Sequence, residues 1–198
     1  MASILVACNN DMNVDLHNFM QYCADVAKQY CREHDHDFTS VVPPFLTETN
    51  VLTTMQNHHI CFIAAHGDAD GVYNENDVDV ITTRTTNYNL ANKGLYTVAC
   101  SCAQNLYNEL SRIGLKLFVG YNAPFIVGDN EEVFCECALE GLKHILQGKT
   151  LDIAYQEMLN KYDEAISHQS FKDKILLLRN KERLVFGGED AVSLSDLI

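Results

Sequence analysis

Six consecutive apolar residues, Ile60-Cys61-Phe62-Ile63-Ala64-Ala65, stand between His58-His59 and His66-Gly67. The run has the length of a strand and shows no polar alternation, so it predicts burial on both faces, as in a central parallel strand covered by helices. The rest of the chain follows the same rhythm. Residues 4–8, 38–42, 95–100 and 117–121 are further runs of strand length, the second stopped by Pro43-Pro44. Between them, Leu16, Phe19, Met20, Cys23, Val26, Ala27 and Tyr30 recur at helical spacing and predict an amphipathic helix over residues 14–31. Thr47 opens a weaker helix reaching about residue 57, and the periodicity predicts helices over 103–113, 131–147 and 150–166. In the tail, residues 175–178 and 184–186 read as a closing hairpin or edge strands. The pattern predicts one domain over residues 1–198, a three-layer αβα sandwich with a mostly parallel sheet.

Composition narrows the function classes. Fourteen basic against 27 acidic residues give a net charge of −13 and leave no basic face for nucleic acid or an anionic membrane. No apolar run approaches the roughly 18 residues of a membrane span. Met1-Ala2-Ser3 has no basic residue before its short apolar run, so a soluble, cytoplasmic protein without a secretory signal is expected. In that compartment the eight cysteines would be reduced thiols, and each has to be explained by its position.

In open α/β sheets the ligand site forms beyond the carboxyl ends of the strands. The residues there are Cys8-Asn9, His66-Gly67, Cys100-Ser101-Cys102 and Tyr121-Asn122. The strands ending at His66 and Cys100 follow one another in sequence, and as sheet neighbours they would bring an imidazole beside a thiol. Such a pair is a route to nucleophilic catalysis, because the thiolate attacks and the imidazole can take its proton. Gly67, lacking a Cβ, would let a backbone N–H reach a developing oxyanion. On residue type alone, His66 and Cys100 could equally be packing residues of a binding domain.

An apolar strand running into His66-Gly67, followed by Leu95-Tyr96-Thr97-Val98-Ala99-Cys100, resembles the paired signature of caspase-like cysteine peptidases, the group of caspases, gingipains, separase and CHAT domains. Phe118-Val119-Gly120-Tyr121-Asn122-Ala123-Pro124, Glu140-Gly141-Leu142, Leu146-Gln147-Gly148-Lys149-Thr150-Leu151 and Leu184-Val185-Phe186-Gly187-Gly188-Glu189-Asp190 resemble CHAT domains in particular. The resemblance covers roughly residues 58–190 and implies a caspase-hemoglobinase-like fold. It implies an endopeptidase with His66 as base, Cys100 as nucleophile, the N–H groups of Gly67 and Cys100 as oxyanion hole, and no cofactor. The implied partner is a protein or peptide substrate. With no appended repeat or adaptor in the chain, control by a regulatory protein, by self-association or by cleavage within residues 68–94 is expected.

Other features compete. Cys8 also ends an apolar-Ala-Cys run but precedes the His strand, which makes it structural or part of a substrate pocket. Cys102 would stand near the start of the next helix, where a helix dipole could lower a thiol pKa. Cys135 and Cys137 point about 200° apart on a helix, poor geometry for zinc. The acidic residues from Asp68 to Asp79 offer oxygen ligands without the order of an EF-hand and read as a solvated rim. Val98 occupies the position that is acidic in several basic-specific relatives and Gln in caspases. An apolar wall there predicts an uncharged residue before the cleaved bond, unless Asp11, Asp15 or the acidic loop reaches in. The alternative is a catalytically silent caspase-like module or a flavodoxin-like binding domain, although the turn after residue 8 lacks the glycines of a phosphate loop.

Overall fold

A computed structural model describes residues 1–85 and 87–198. Thr86, within the polar stretch 68–94, lies outside the described residues. In chain order the elements are β1 (Ser3–Cys8), α1 (His17–Glu33), β2 (Asp37–Val41), α2 (Glu48–Met55), β3 (Ile60–Ala64), β4 (His66–Gly67), β5 (Gly71–Tyr73) and β6 (Asp79–Thr82). They continue as β7 (Gly94–Val98), α3 (Leu106–Arg112), β8 (Leu117–Tyr121), α4 (Glu131–Leu146), α5 (Leu151–His168), α6 (Phe171–Arg183) and β9 (Leu184–Gly188).

Among the described residues, six strands form the main sheet in the order β2-β1-β3-β7-β8-β9. The first five are parallel and β9 closes the edge antiparallel to β8. β3 lies inside the sheet with every side chain buried, which accounts for its unbroken apolar run. Its side chains divide between two cores. Ile60, Phe62 and Ala64 face the layer of α1, α4 and α5, with Phe19, Phe134 and Met158, while Cys61 and Ile63 face α2 and α3, with Leu52 and Leu106. The result is the expected three-layer αβα sandwich around a largely parallel sheet. None of the helices among the described residues is long and apolar enough to cross a membrane.

The polar stretch after β3 has regular structure of its own. β4, β5 and β6 form a small antiparallel sheet, and His66 itself pairs with Tyr73. The tail requires a correction. Residues 175–178 belong to α6 and form no hairpin with residues 184–186. The apolar run suggests a strand, yet the residues α6 buries are Asp173, Leu177 and Asn180, at helical spacing, while Ile175 and Leu178 face solvent. The Ser170 hydroxyl accepts the Asp173 N–H and caps this helix at its start. β7 also ends two residues earlier than expected, at Val98, so Cys100 lies on the turn that follows it.

Candidate active site

Parallel pairing of Ala64 with Val98 makes β3 and β7 leave the sheet at one place, and the Ala65 N–H reaches the Val98 carbonyl at 3.3 Å. The chain then diverges. β3 continues into β4 with His66, whose backbone is held by the pairing with β5. β7 continues into Ala99 and Cys100. Gly67 brings the two paths together: a Cβ there would lie 2.9 Å from the Gly71 oxygen, 3.0 Å from the Cys100 oxygen and 3.1 Å from the Ala99 Cβ. Only glycine allows so close an approach of backbone to backbone.

Ser101, with φ at 56°, occupies the left-handed region that residues with a Cβ adopt at a cost, and it turns the chain sharply after Cys100. The turn is held by the segment that follows β8. The Ser101 N–H donates to the Ala123 carbonyl at 3.0 Å, the Ala103 N–H to Tyr121 at 3.0 Å, and Gln104 Nε2 to Asn122 at 2.9 Å. Cys100 Sγ lies 3.7 Å from the Phe125 carbonyl oxygen. Burial pushes the Cys100 thiol above the ordinary cysteine range.

His66, Cys100 and Val98 line one cleft. Leu16, Phe19, Met20 and Phe125 close it, leaving about 30 Å³. Phe125 is fixed in that wall by its ring contacts with Phe19, at 5.8 Å between centroids, and Tyr121, at 4.7 Å. The structure thus brings His66, Gly67, Cys100 and Val98 to one end of the sheet. Two pocket candidates lie outside that lining. Cys8 is buried with its Sγ 3.9 Å from Gln21 Oε1, its thiol pushed up to about 11 by burial, and Asp11 turns back to accept the Asn13 N–H at 2.9 Å.

Cys102 faces the other core. It is fully buried, its Sγ is 3.1 Å from Thr97 Oγ1, and burial pushes its thiol up to about 11. α3 begins at Leu106, so Cys102 does not stand at a helix start. Cys135 and Cys137 are both buried within α4. The acidic rim uses its oxygens locally: Asp68 Oδ1 accepts the Asp70 N–H at 2.8 Å and the Tyr73 hydroxyl at 2.7 Å, and Asp79 pairs with Arg84. Among the described residues, no three His, Cys, Asp or Glu side chains converge as a metal set. His58 has both ring nitrogens engaged, with the Thr54 carbonyl and the Thr39 hydroxyl, and is a structural residue.

Sequence reasoning missed the apolar walls. Phe19 and Met20 read as core positions of α1, and nothing local marks Phe125, which reaches the cleft from a segment without regular structure. A stretch of irregular backbone that is nonetheless buried, just past a strand end, is the signal that could have found it.

No protein-family profile and no curated protein matches the chain. Solved structures do. One titled as the complex of Porphyromonas gingivalis RgpB pro- and mature domains aligns over 98% of this chain and 48% of its own, with a TM-score of 0.71 at 11% identity. The Arg-specific cysteine proteinase gingipain R aligns over 97% of this chain and 46% of its own, with a TM-score of 0.62 at 11% identity. The chain shares the gingipain fold. It therefore has the caspase-hemoglobinase-like architecture and spans about half the length of these gingipain chains.

Proposed function

We propose that the chain is a cysteine endopeptidase in which Cys100 is the nucleophile and His66 its base. The observation that carries this reading is the convergence of a half-buried thiol and an imidazole in one cleft, at the sheet end where this fold class places its ligands. His66 takes the Cys100 thiol proton as the sulfur attacks the carbonyl carbon of the scissile peptide bond. The oxyanion that forms is met by the N–H groups of Gly67 and Cys100. Its collapse breaks the C–N bond, and the imidazolium returns the proton to the leaving amine. Water, deprotonated by the same imidazole, then hydrolyses the thioester and releases the thiol. The closeness of the Gly67 and Cys100 backbones supports a shared oxyanion hole.

The apolar wall of Val98, Phe19, Met20 and Phe125 favours an uncharged side chain before the cleaved bond. The present cleft holds about one or two waters and no side chain such as leucine, so substrate must widen it. Leu16 stands at the mouth in the left-handed region, with φ at 62°, at the start of α1 and without a side-chain cap. Displacing that start would widen the cleft, which fits activation by a partner or by processing. Within the class the chain is read as CHAT-like, on residues 118–124 and 184–190. Its cysteines, unpaired among the described residues, suit a reducing compartment such as the cytoplasm.

The test is hydrolysis of a peptide library randomised at the residue before the scissile bond. Wild type should select Leu or Met over Arg, Lys and Asp, and folded Cys100→Ala and His66→Ala proteins should be inactive. Full activity in folded Cys100→Ala would remove the mechanism, and selection of Arg, Lys or Asp would show that Val98 does not set the preference.

A further inference from the structure

The wall carrying Phe125 has no secondary structure of its own, yet it is fixed along its length by a helix far away in sequence. Asn180 of α6, 1% exposed, holds the peptide groups of Ile126 from both sides. Its Nδ2 donates to the Ile126 carbonyl at 2.7 Å and its Oδ1 accepts the Ile126 N–H at 3.1 Å. Two turns earlier on α6, Asp173, 4% exposed, accepts the Asp129 N–H at 3.1 Å. Seven residues of helix rise about 10.5 Å, and three residues of extended chain span about 10 Å. Residues 126–129 are therefore laid out along α6, antiparallel to it, with a fastening at each end. Gly128 sits between the fastenings, and a Cβ there would meet Asp173 Oδ1 at 2.0 Å. Outside this pair, Lys172 pairs with Asp129 at 2.7 Å.

A buried asparagine that satisfies both the backbone donor and the backbone acceptor of one residue replaces a rung of regular structure where none exists. Here the residue so held is adjacent to Phe125, whose carbonyl meets Cys100 Sγ and whose ring closes the cleft. On the other side, the Ala123 and Asn122 carbonyls fix the turn of Ser101 and Gln104. The segment is thus held from the Cys100 turn at one end and from α6 at the other.

We infer that α6 is the clamp of the candidate active site, with Asn180 and Asp173 as positioning residues that hold Phe125 against Cys100 and so set both the reactivity of the thiol and the selectivity of the pocket. The selectivity half rests on the peptidase reading, whereas the thiol half stands without it. Releasing the clamp has opposite effects on the two. A wall free to swing away uncovers the sulfur to small electrophiles, while a substrate side chain loses the surface that orients it.

Mass-mapped alkylation by iodoacetamide at fixed pH, together with hydrolysis of the peptide library, tests this in the full chain. Asn180→Ala should raise the Cys100 alkylation rate by about fivefold or more, leave the seven buried cysteines unlabelled, raise KM more than it lowers kcat, and flatten the preference for Leu and Met. Asn180→Asp, which keeps the acceptor of the Ile126 N–H and loses the donor, should fall between. Leu177→Ala, on the same helix but outside the clamp, should lower Tm without changing the Cys100 rate. A Cys100 rate in Asn180→Ala equal to wild type, or a rise shared by all eight cysteines or by Leu177→Ala, would overturn the clamp. If no peptide is hydrolysed by wild type while the alkylation pattern holds, the peptidase reading fails and the clamp stands.

Discussion

Cys100 and Cys102 are separated by one residue and belong to opposite halves of the molecule. Cys100 packs at the margin of the core of α1, α4 and α5, half-buried, with its sulfur in a cleft shared with His66. Cys102 is sealed in the core of α2 and α3 beside the Thr97 hydroxyl. Both thiols are pushed up by burial, so neither is set apart by an acidic thiol in the resting protein. What distinguishes them is access, a neighbouring imidazole and a backbone that approaches across Gly67. The two sulfurs reach opposite sides of the sheet end, and Ser101 between them, in its left-handed conformation, is where the chain turns.

The contrast is broken most severely by deleting the sulfurs in turn. Cys100→Ala should lower peptide hydrolysis by at least about 10³-fold with the fold intact, by analogy with the loss of other catalytic nucleophiles. Circular dichroism and library hydrolysis measured on the same sample check both halves of that statement. Next in size is Gly67→Ala, which forces a methyl against the backbone oxygens of Gly71 and Cys100. It should cost about 1–3 kcal/mol of stability and, by displacing the proposed oxyanion hole, at least about tenfold in kcat. Denaturant melts and initial rates read the two separately.

The pH dependence of stability sharpens the comparison from the buried side. Cys8 and Cys102 are pushed up to about 11, and Cys31, Cys61 and Cys137 to about 12, all by burial. Each binds its proton more tightly folded than unfolded. Their contribution is complete below the unfolded value of about 8.5 and is lost as pH rises through the folded values. Tm should therefore hold from pH 6 to 8 and fall steadily above pH 9, and a Tm that rises there would contradict the burial of these thiols. The smallest effect belongs to Cys102→Ala. Losing one buried sulfur and its contact with Thr97 should cost about 1 kcal/mol, a Tm shift of about 2–4 °C, with hydrolysis nearly unchanged. An inactive Cys102→Ala protein that remains folded would reverse the roles assigned to the two thiols.

Much of this arrangement was legible in the sequence because it is local. The run from Ile60 to Ala65 specifies a strand buried on both faces, and residues directly beyond a strand have nowhere to go but the sheet end, which places His66 and Cys100. What was not legible depends on contacts distant in sequence. Asn180 meets Ile126 across 54 residues, so neither the wall it holds nor the role of Phe125 follows from local pattern. The apolar residues at 175, 176 and 178 hid the helical spacing of Asp173, Leu177 and Asn180, because two of the three side chains α6 buries are polar. Period-two reasoning would likewise put Cys100 and Cys102 on one face, and the left-handed residue between them is what separates them.

The most direct test of the account is to capture the covalent intermediate. Wild-type protein mixed with a peptide carrying Leu before the scissile bond, quenched in acid within the first turnover and digested, should yield the Cys100 peptide carrying the acyl half of the substrate as a thioester. The same adduct should be absent from His66→Ala protein. An acyl group found on Cys102 or any other cysteine, or turnover that persists without any thioester, would contradict it.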